Sequence, residues 1–311
     1  MTPSTGPVVN WADVASRTVD AGPIGARWTN LGQAAGTVDT GLRRIEIDPG
    51  RRSTPVHTHA AEEEIFFVLA GSGLSYQDGK TYEVGAGDCI VHLPGAAAHT
   101  LIAGAAGLDV LAFSDRRPPE SAFLPRAGLS WLGQTWVKAG EGPHPFAQEV
   151  AAGELEMEPA ATSSPSIASV DTVEALTIGR GSFGHVSRDL ARAAGSRRVG
   201  LRHVELAEGK MSWPLHCHSG EEEIFVMLAG DATFILGDDE HPLRPGDVVA
   251  RPAGQGVAHA VRGGVGGATY LAFGQRDPRS ATWYPRSNKI SIRGLGVVFR
   301  VEPVGYWDGE A

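Results

Sequence analysis

The stretch His57-Thr58-His59-Ala60-Ala61-Glu62-Glu63-Glu64-Ile65-Phe66-Phe67-Val68-Leu69-Ala70-Gly71 returns later in the chain as His216-Cys217-His218-Ser219-Gly220-Glu221-Glu222-Glu223-Ile224-Phe225-Val226-Met227-Leu228-Ala229-Gly230. The offset is a constant 159 positions: 57 to 216, 64 to 223, 71 to 230. An unbroken offset over such a run is internal duplication. It extends outward, from Leu31–Gly36 to Leu190–Gly195 and from Gly41–Gly50 to Gly200–Gly209. The copies also close alike, with Leu111-Ala112-Phe113 against Leu271-Ala272-Phe273, now at an offset of 160. One net residue has entered the second copy, and the proline-to-histidine loop before His259 is where we place it.

Within each copy the local pattern is that of strands and tight turns. Gly41–Gly50 alternates apolar and polar residues before a Pro-Gly turn, as a half-buried strand does. Asp78-Gly79 reads as a hairpin turn, and Cys89 to Leu93 as a strand stopped by Pro94-Gly95. The 41 glycines and 20 prolines point the same way, towards an all-β chain with short peripheral helices. Residues 1–20 are expected to be an N-terminal arm whose Trp11 docks on a domain. Residues 21–140 then form a first β-barrel and 177–311 a second. Between them, 141–176 turns acidic and then Ser/Pro-rich around Glu154–Pro165, the composition of a linker. The end of the chain, Tyr306 to Glu310, is expected to lie over a barrel face.

A chain of 311 residues is long enough for two such units, each with its own core. The net charge of −9 and the lack of any basic stripe argue against a nucleic-acid partner. No window approaches the roughly 20 apolar residues of a membrane span. The N-terminus shows neither the charged nor the apolar region of a secretory signal, and two cysteines, Cys89 and Cys217, make no disulfide framework. The expectation is a cytoplasmic protein. Association into a homo-oligomer is left open.

The repeated histidines carry the chemistry. On a strand, positions i and i+2 share a face roughly 6–7 Å apart, so His57 and His59 can aim at one point, as can His216 and His218. Five extended residues would carry Glu64 about 16 Å away, so a turn at Ala60-Ala61, or Ser219-Gly220, must fold it back onto the adjacent antiparallel strand. Phase admits Glu62 or Glu64. Glu64 precedes the apolar run and sits deepest, which favours it. A carboxylate buried beside imidazoles is costly unless a cation joins them, and such a donor set suits a first-row divalent metal.

These features together resemble a bicupin, a two-domain member of the cupin superfamily of small jelly-roll β-barrels. That family's first motif runs from glycine through His-X-His and a glutamate to a second glycine six residues on. Gly50, His57, His59, Glu64 and Gly71 follow it, and Gly209, His216, His218, Glu223 and Gly230 follow it again. The closing spacing selects Glu64 and Glu223. The second motif ends in a histidine, matched by Gly87, Pro94 and His99 and by Gly246, Pro252, Gly254 and His259, with altered spacings in both copies. The resemblance implies up to two sites, His57/His59/Glu64/His99 and His216/His218/Glu223/His259. Each would hold a divalent transition metal, iron or manganese favoured, with nickel, cobalt, copper or zinc as alternatives. Six of the eleven histidines fall on these positions. The remaining five, His92, His144, His185, His203 and His241, are expected to be solvated or locally bonded.

Phe66 and Phe225 share the phase of the glutamates and are candidates for pocket lining, with core packing as the alternative. Tyr76 is a candidate pocket donor. Arg43 and Arg202 occupy matching strand positions and could anchor a substrate carboxylate, a structural ion pair being the competing reading. The function expected from the resemblance is a metal-dependent enzyme acting on a small oxygenated organic substrate, with a dioxygenase-type oxidoreductase first. An isomerase or decarboxylase, and a non-catalytic small-molecule binder or sensor, are the alternatives.

Overall fold

The computed structural model describes residues 6–132, 135–138 and 144–310. The expected boundary at 140/141 and residues 1–5 of the arm lie outside the described residues. The chain folds into two tandem β-barrels built to one plan. In the first, antiparallel neighbours run in the order Ser16–Ala21, Ile24–Asn30, Thr40–Ile47, His99–Asp115, Glu64–Gln77, Asp88–His92, and Lys80–Gly85 also pairs with Glu64–Gln77. In the second the order is Leu176–Arg180, Phe183–Asp189, Val199–Leu206, His259–Gln275, Glu223–Leu236, Asp247–Arg251, with Asp239–Leu243 beside Glu223–Leu236.

The central strands are long, 14 and 17 residues, and must bend to serve a barrel. The register shifts at Val68/Ala70 and Gly71/Gly73, and at Met227/Ala229 and Gly230/Ala232, are where they do so. The motif's closing glycines sit at these bends. Gly71 has φ 84° and Gly230 has φ 71°, and a Cβ on either would lie 2.3 Å from a carbonyl oxygen, of Gly107 or Gly267. Only glycine satisfies both the dihedral and the close approach.

The segments read as arm and linker are parts of the barrels. Val8–Asn10 pairs with Asp247–Arg251 of the second barrel, and Ile167–Ser169 pairs with Asp88–His92 of the first. Val8 and Ile167 are again 159 apart, so each repeat begins with a strand laid on the edge of the other barrel. Trp11 bonds the carbonyl of Gly246 through its backbone N–H at 2.9 Å, and Val170, 159 residues later, bonds Gly87 at 3.0 Å. Ser16–Ala21 already belongs to the first sheet. Within 141–176, the helix Pro145–Ala151 is fastened by Glu149, wholly buried between Arg52 at 2.8 Å and Arg126 at 2.9 Å. That stretch carries structure its composition does not suggest. Tyr306 and Trp307, expected over a barrel face, are exposed and pack edge-on against each other at 4.9 Å.

The barrels share one core. Leu42, Ile65, Phe67, Val91, Leu111 and Phe113 of the first pack with Leu201, Ile224, Val226, Val248, Leu271 and Phe273 of the second, and the rings of Phe113 and Phe273 stack 5.0 Å apart. Separate clusters fill the barrel interiors, around Phe66, Val68 and Val110 in one and around Phe225, Phe234 and Tyr270 in the other. The middle glutamate of each triplet crosses this joint. Glu222 accepts from Val38 N–H and Asp39 N–H, both at 2.8 Å, and from the Thr40 hydroxyl at 2.7 Å. Glu63 accepts from the Ser196 hydroxyl at 2.7 Å and from the Arg197 and Arg198 amides at 3.2 Å. Both side chains are buried. An apolar replacement of Glu222 would strand three donors at a buried joint, and orphaned donors cost about 1–3 kcal/mol each when fully buried. Glu222→Ala should therefore lower stability by about 2–4 kcal/mol in denaturant titration. A loss below about 0.5 kcal/mol, the usual size for an innocuous surface change, would show that this contact does not hold the barrels together.

Candidate metal centres

The four side chains of each expected set converge. His57 meets His99 in a two-way backbone bridge, with N···O distances of 3.1 and 2.8 Å, which brings the two imidazoles together. Thr58–His59 forms a short strand of its own, paired with Ser121–Leu124 in a separate four-stranded sheet. The chain bends at Ala60-Ala61 and Glu64 begins the next strand, flanked by His92 on one side and Ser114 on the other. The turn lies where the spacing required it. Glu64 is not on the strand adjacent to the His pair, as expected from sequence; it reaches the pair across the barrel mouth.

All three Nε2 atoms face one oxygen. Glu64 Oε2 lies 3.0 Å from His99, 3.6 Å from His59 and 3.7 Å from His57. In the second barrel, Glu223 Oε2 lies 2.8 Å from His259, 3.1 Å from His218 and 3.9 Å from His216. Within the first set the donor atoms are all within 4.8 Å of one another, as are those of His216, His218 and Glu223. The bridge between His216 and His259 repeats that of His57 and His99.

The outward ring nitrogens fix the tautomers. His57 Nδ1 lies 3.0 Å from the Pro55 carbonyl, His99 Nδ1 3.1 Å from that of Ala97, and His216 Nδ1 2.7 Å from that of Pro214. A carbonyl only accepts, so the proton belongs on Nδ1 and the Nε2 lone pair points inward. Several inward lone pairs around a buried carboxylate repel unless a cation sits among them. Consistent with this, His59 Nε2 and His218 Nε2 are buried without a hydrogen-bond partner. Three neutral imidazoles and one carboxylate at these spacings fit a divalent transition metal in each barrel.

Protonation follows the same geometry. Burial would raise Glu64, but the facing imidazoles of His57, His59 and His99 hold it well below the usual carboxylate range, and Glu223 is held low in the same way, chiefly by His218. Burial pulls His99 and His216 down to about 4 and lowers His259. Burial also opposes charge on His59, yet Glu120 and Glu64 outweigh it and push the imidazole up to about 10. His218 is raised too, by Glu223 against the effect of burial. Burial lifts Glu62, next to this cluster, to about 7.

The supporting groups differ between the copies. Glu120 Oε1 lies 3.0 Å from His59 Nδ1, while its other oxygen accepts from the amides of Ala61 and Glu62 at 2.8 and 2.9 Å. The matching position, 160 residues on, is Ser280, and there the Thr282 hydroxyl bonds His218 Nδ1 at 3.2 Å, with a Glu221 oxygen 3.3 Å from the same nitrogen. Glu120 has no twin, so the duplication gave no signal for it. His92, expected to be solvated or locally bonded, is buried and stacks on His99 with centroids 3.7 Å apart and planes 1° apart. His185 and His203 are buried as well, His185 against Trp213 at 4.4 Å.

The expected substrate residues divide. Phe66 and Phe225 are buried in the barrel interiors with their rings 6.5 Å from His99 and 5.5 Å from His259. They form the floors of the two centres. Tyr76 packs with Val56 and Ala98 in a separate cluster. Arg43 is exposed, its guanidinium 5.8 Å from the Trp28 ring, and Arg202 pairs with Asp189 at 3.5 Å. Both stand in the inward phase of their strands, opposite Ala112 and Ala272 and in line with Ile45 and Ile47 or Val204 and Leu206, but their charged ends turn to Trp28 and Asp189 and not to a ligand of either centre.

Residues 43–110 and 202–269 each match the cupin domain family. No curated protein matches the sequence. Among solved structures, the chain is similar to oxalate decarboxylase from Bacillus subtilis at pH 4.6, with a TM-score of 0.57 and 18% identity over 86% of this chain and 75% of that one. A mutant of the same enzyme gives 0.58 and 16% over 89% and 78%. A third structure, from work on the Mn(II) centres of that decarboxylase, gives 0.56 and 16% over 86% and 76%.

The shift at His59 has a consequence for metal loading. With its value raised to about 10, the metal-free first centre holds a proton at neutral pH that a metal must displace. Affinity there should rise about tenfold per pH unit between about pH 7 and 9 and level off above about 10. Manganese binding to a His216→Ala variant, followed by electron paramagnetic resonance, measures this slope. A flat profile would mean that His59 is not a ligand. In the metal-free protein the same shift stabilises the fold below the ordinary histidine value of 6.5 and is lost as pH rises through about 10.

Proposed function

Since this chain is a two-domain cupin, we propose that it is a manganese-dependent lyase that removes carbon dioxide from a small carboxylic acid, in the manner of an oxalate decarboxylase. The observation that carries the reading is the pair of His/Glu clusters, four donors in the first barrel and three in the second with His259 2.8 Å from Glu223, set in a fold that parallels the Mn(II) decarboxylase over 86% of this chain. Sequence reasoning placed a dioxygenase first. The decarboxylase neighbours support the other alternative, in which the reaction needs no net oxidation.

When bound, the metal would supply a Lewis acid and a template for the substrate's oxygens. Four protein donors leave two positions of a six-coordinate ion, enough for a carboxylate. The chain's own residues do the rest. His57, His59, Glu64 and His99 would hold one ion, and His216, His218, Glu223 and His259 the other. Glu120 fixes the ring of His59, and Thr282 with Glu221 that of His218, as outer partners of metal-bound histidines do. Phe66 and Phe225 close the barrel side of each centre and keep water from it.

The protein purified without chelators should carry two equivalents of manganese, and His57→Ala or His216→Ala should each remove one. Given oxalate, it should release carbon dioxide and formate in equal amounts without consuming oxygen. Stoichiometric oxygen uptake would return the dioxygenase reading. Full metal content with no turnover of small carboxylates would favour a binding module, and no metal after reconstitution would sink the proposal.

The outer partner of His59 gives a separate check. Glu120→Gln keeps the shape and removes the charge, and should weaken manganese binding at the first centre about 10-fold to 100-fold while leaving the second unchanged. An equal effect on both centres would show that Glu120 acts through the fold and not through His59.

A further inference from the structure

The two centres differ at one matched pair of positions. His92 and Arg251 are 159 apart, and each lies directly across from its centre's glutamate, His92 opposite Glu64 and Arg251 opposite Glu223. His92 is buried against His99, and burial together with the neighbouring imidazoles holds it neutral. Arg251 is only 8% exposed, and among the described residues no carboxylate lies within 4.0 Å of its guanidinium. Its one hydrogen bond is to the Val257 carbonyl at 3.4 Å, and its Nε has no partner. A permanently charged, forked donor buried without a carboxylate partner is costly, and an arriving carboxylate, whose geometry the fork matches, would offset that cost.

The surroundings say where that anion would sit. Arg251 lines a narrow cleft, about 10 Å³ or room for one water, with the ligands His218 and His259, with Cys217 and Glu221, and with the loop Gln255–Val257. This loop holds the residue gained in the second copy, and the first copy has no counterpart to it. Glu221 is no partner for Arg251, because Arg293 takes both its oxygens, at 2.5 and 2.6 Å, and the Asp277 amide bonds it at 2.9 Å. With a divalent ion bound, the second centre would carry that ion, Glu223 and an unopposed guanidinium. The first would carry the ion, Glu64 and Glu120. The second is the cationic one by a wide margin.

We propose that the second centre, and not the first, takes the anionic substrate, with the Arg251 guanidinium pairing to a carboxylate from inside the cleft. The class of ligand is a small mono- or dicarboxylate, with one group on the metal and its anionic charge met by the arginine. The inference rests on the metal reading above and adds to it a division of labour between the barrels. Arg251 acts by binding, so its effect is read as affinity.

Calorimetric titration of the manganese-loaded protein with oxalate, run beside manganese analysis of each sample, tests it. Wild type and His57→Ala, which keeps the second centre, should bind oxalate alike, and His216→Ala should lose saturable binding. Arg251→Gln should keep two equivalents of manganese and bind oxalate roughly 30-fold or more weaker, with Arg251→Lys recovering part of the loss. An Arg251→Gln protein that binds within about threefold of wild type, about 0.7 kcal/mol, overturns the proposal while leaving the metal reading intact. So does oxalate binding that survives in His216→Ala and vanishes in His57→Ala. If no variant takes up manganese, the metal reading fails by itself, and the same comparison of wild type with Arg251→Gln on the metal-free chain decides the subsite.

Discussion

A carboxylate buried among three imidazoles is the constraint around which each barrel is arranged. Glu64 and Glu223 each face three Nε2 atoms, and backbone carbonyls fix the outward nitrogens of His57, His99 and His216 as donors. The fold gives up hydrogen bonding at the centre to achieve this, since His59 Nε2 and His218 Nε2 are buried and unpaired. Such a centre is expensive in a protein without a cation and favourable in one with it. The backbone bridges His57–His99 and His216–His259 and the bends at Gly71 and Gly230 all serve to bring these donors to one point.

The glutamate triplet shows how closely one stretch of strand can be divided among tasks. The last member, Glu64 or Glu223, faces the centre. The middle member points the other way and bonds the opposite barrel, Glu63 to Ser196–Arg198 and Glu222 to Val38–Thr40. The first member is next to the cluster, and in the second barrel it lies 3.3 Å from His218, whose ring Thr282 orients. Centre and joint are therefore linked through adjacent backbone, and the exchanged edge strands Val8–Asn10 and Ile167–Ser169 tie the barrels together again. The duplicated chain behaves as a covalent dimer of one unit.

What could be read in the sequence is what recurs at a fixed offset. The two units, the His-X-His pairs and the turn before the glutamates follow from spacing repeated twice, and the resemblance to cupins added His99 and His259 and selected Glu64 and Glu223. What could not be read was of two kinds. Contacts between the copies, such as Glu63 with Ser196 or the strand Ile167–Ser169 on Asp88–His92, leave no periodicity inside either copy, so that stretch looked like a linker. Groups present in one copy only were also invisible, because duplication highlights what agrees. Glu120, His92 and Arg251 are of this kind. Arg43 and Arg202 were singled out because they recur, and their charged ends turn to Trp28 and Asp189 instead; recurrence marks the shared scaffold as readily as the shared chemistry.

That last point bears on why the copies are worth comparing position by position. Once a unit is doubled, each centre is free to keep the donors and change what surrounds them. The donors here are identical in type, so any difference in what the centres bind must come from neighbours such as His92 and Arg251, or Glu120 and Ser280. The first centre has gained carboxylate character around an unchanged ligand set, which favours holding a cation. The second has gained a guanidinium that, among the described residues, has no carboxylate within 4.0 Å, and a lengthened loop beside it, which favours an arriving anion. Two environments that pull the same ligand set towards opposite charge are what a division between a structural and a substrate-binding metal would require.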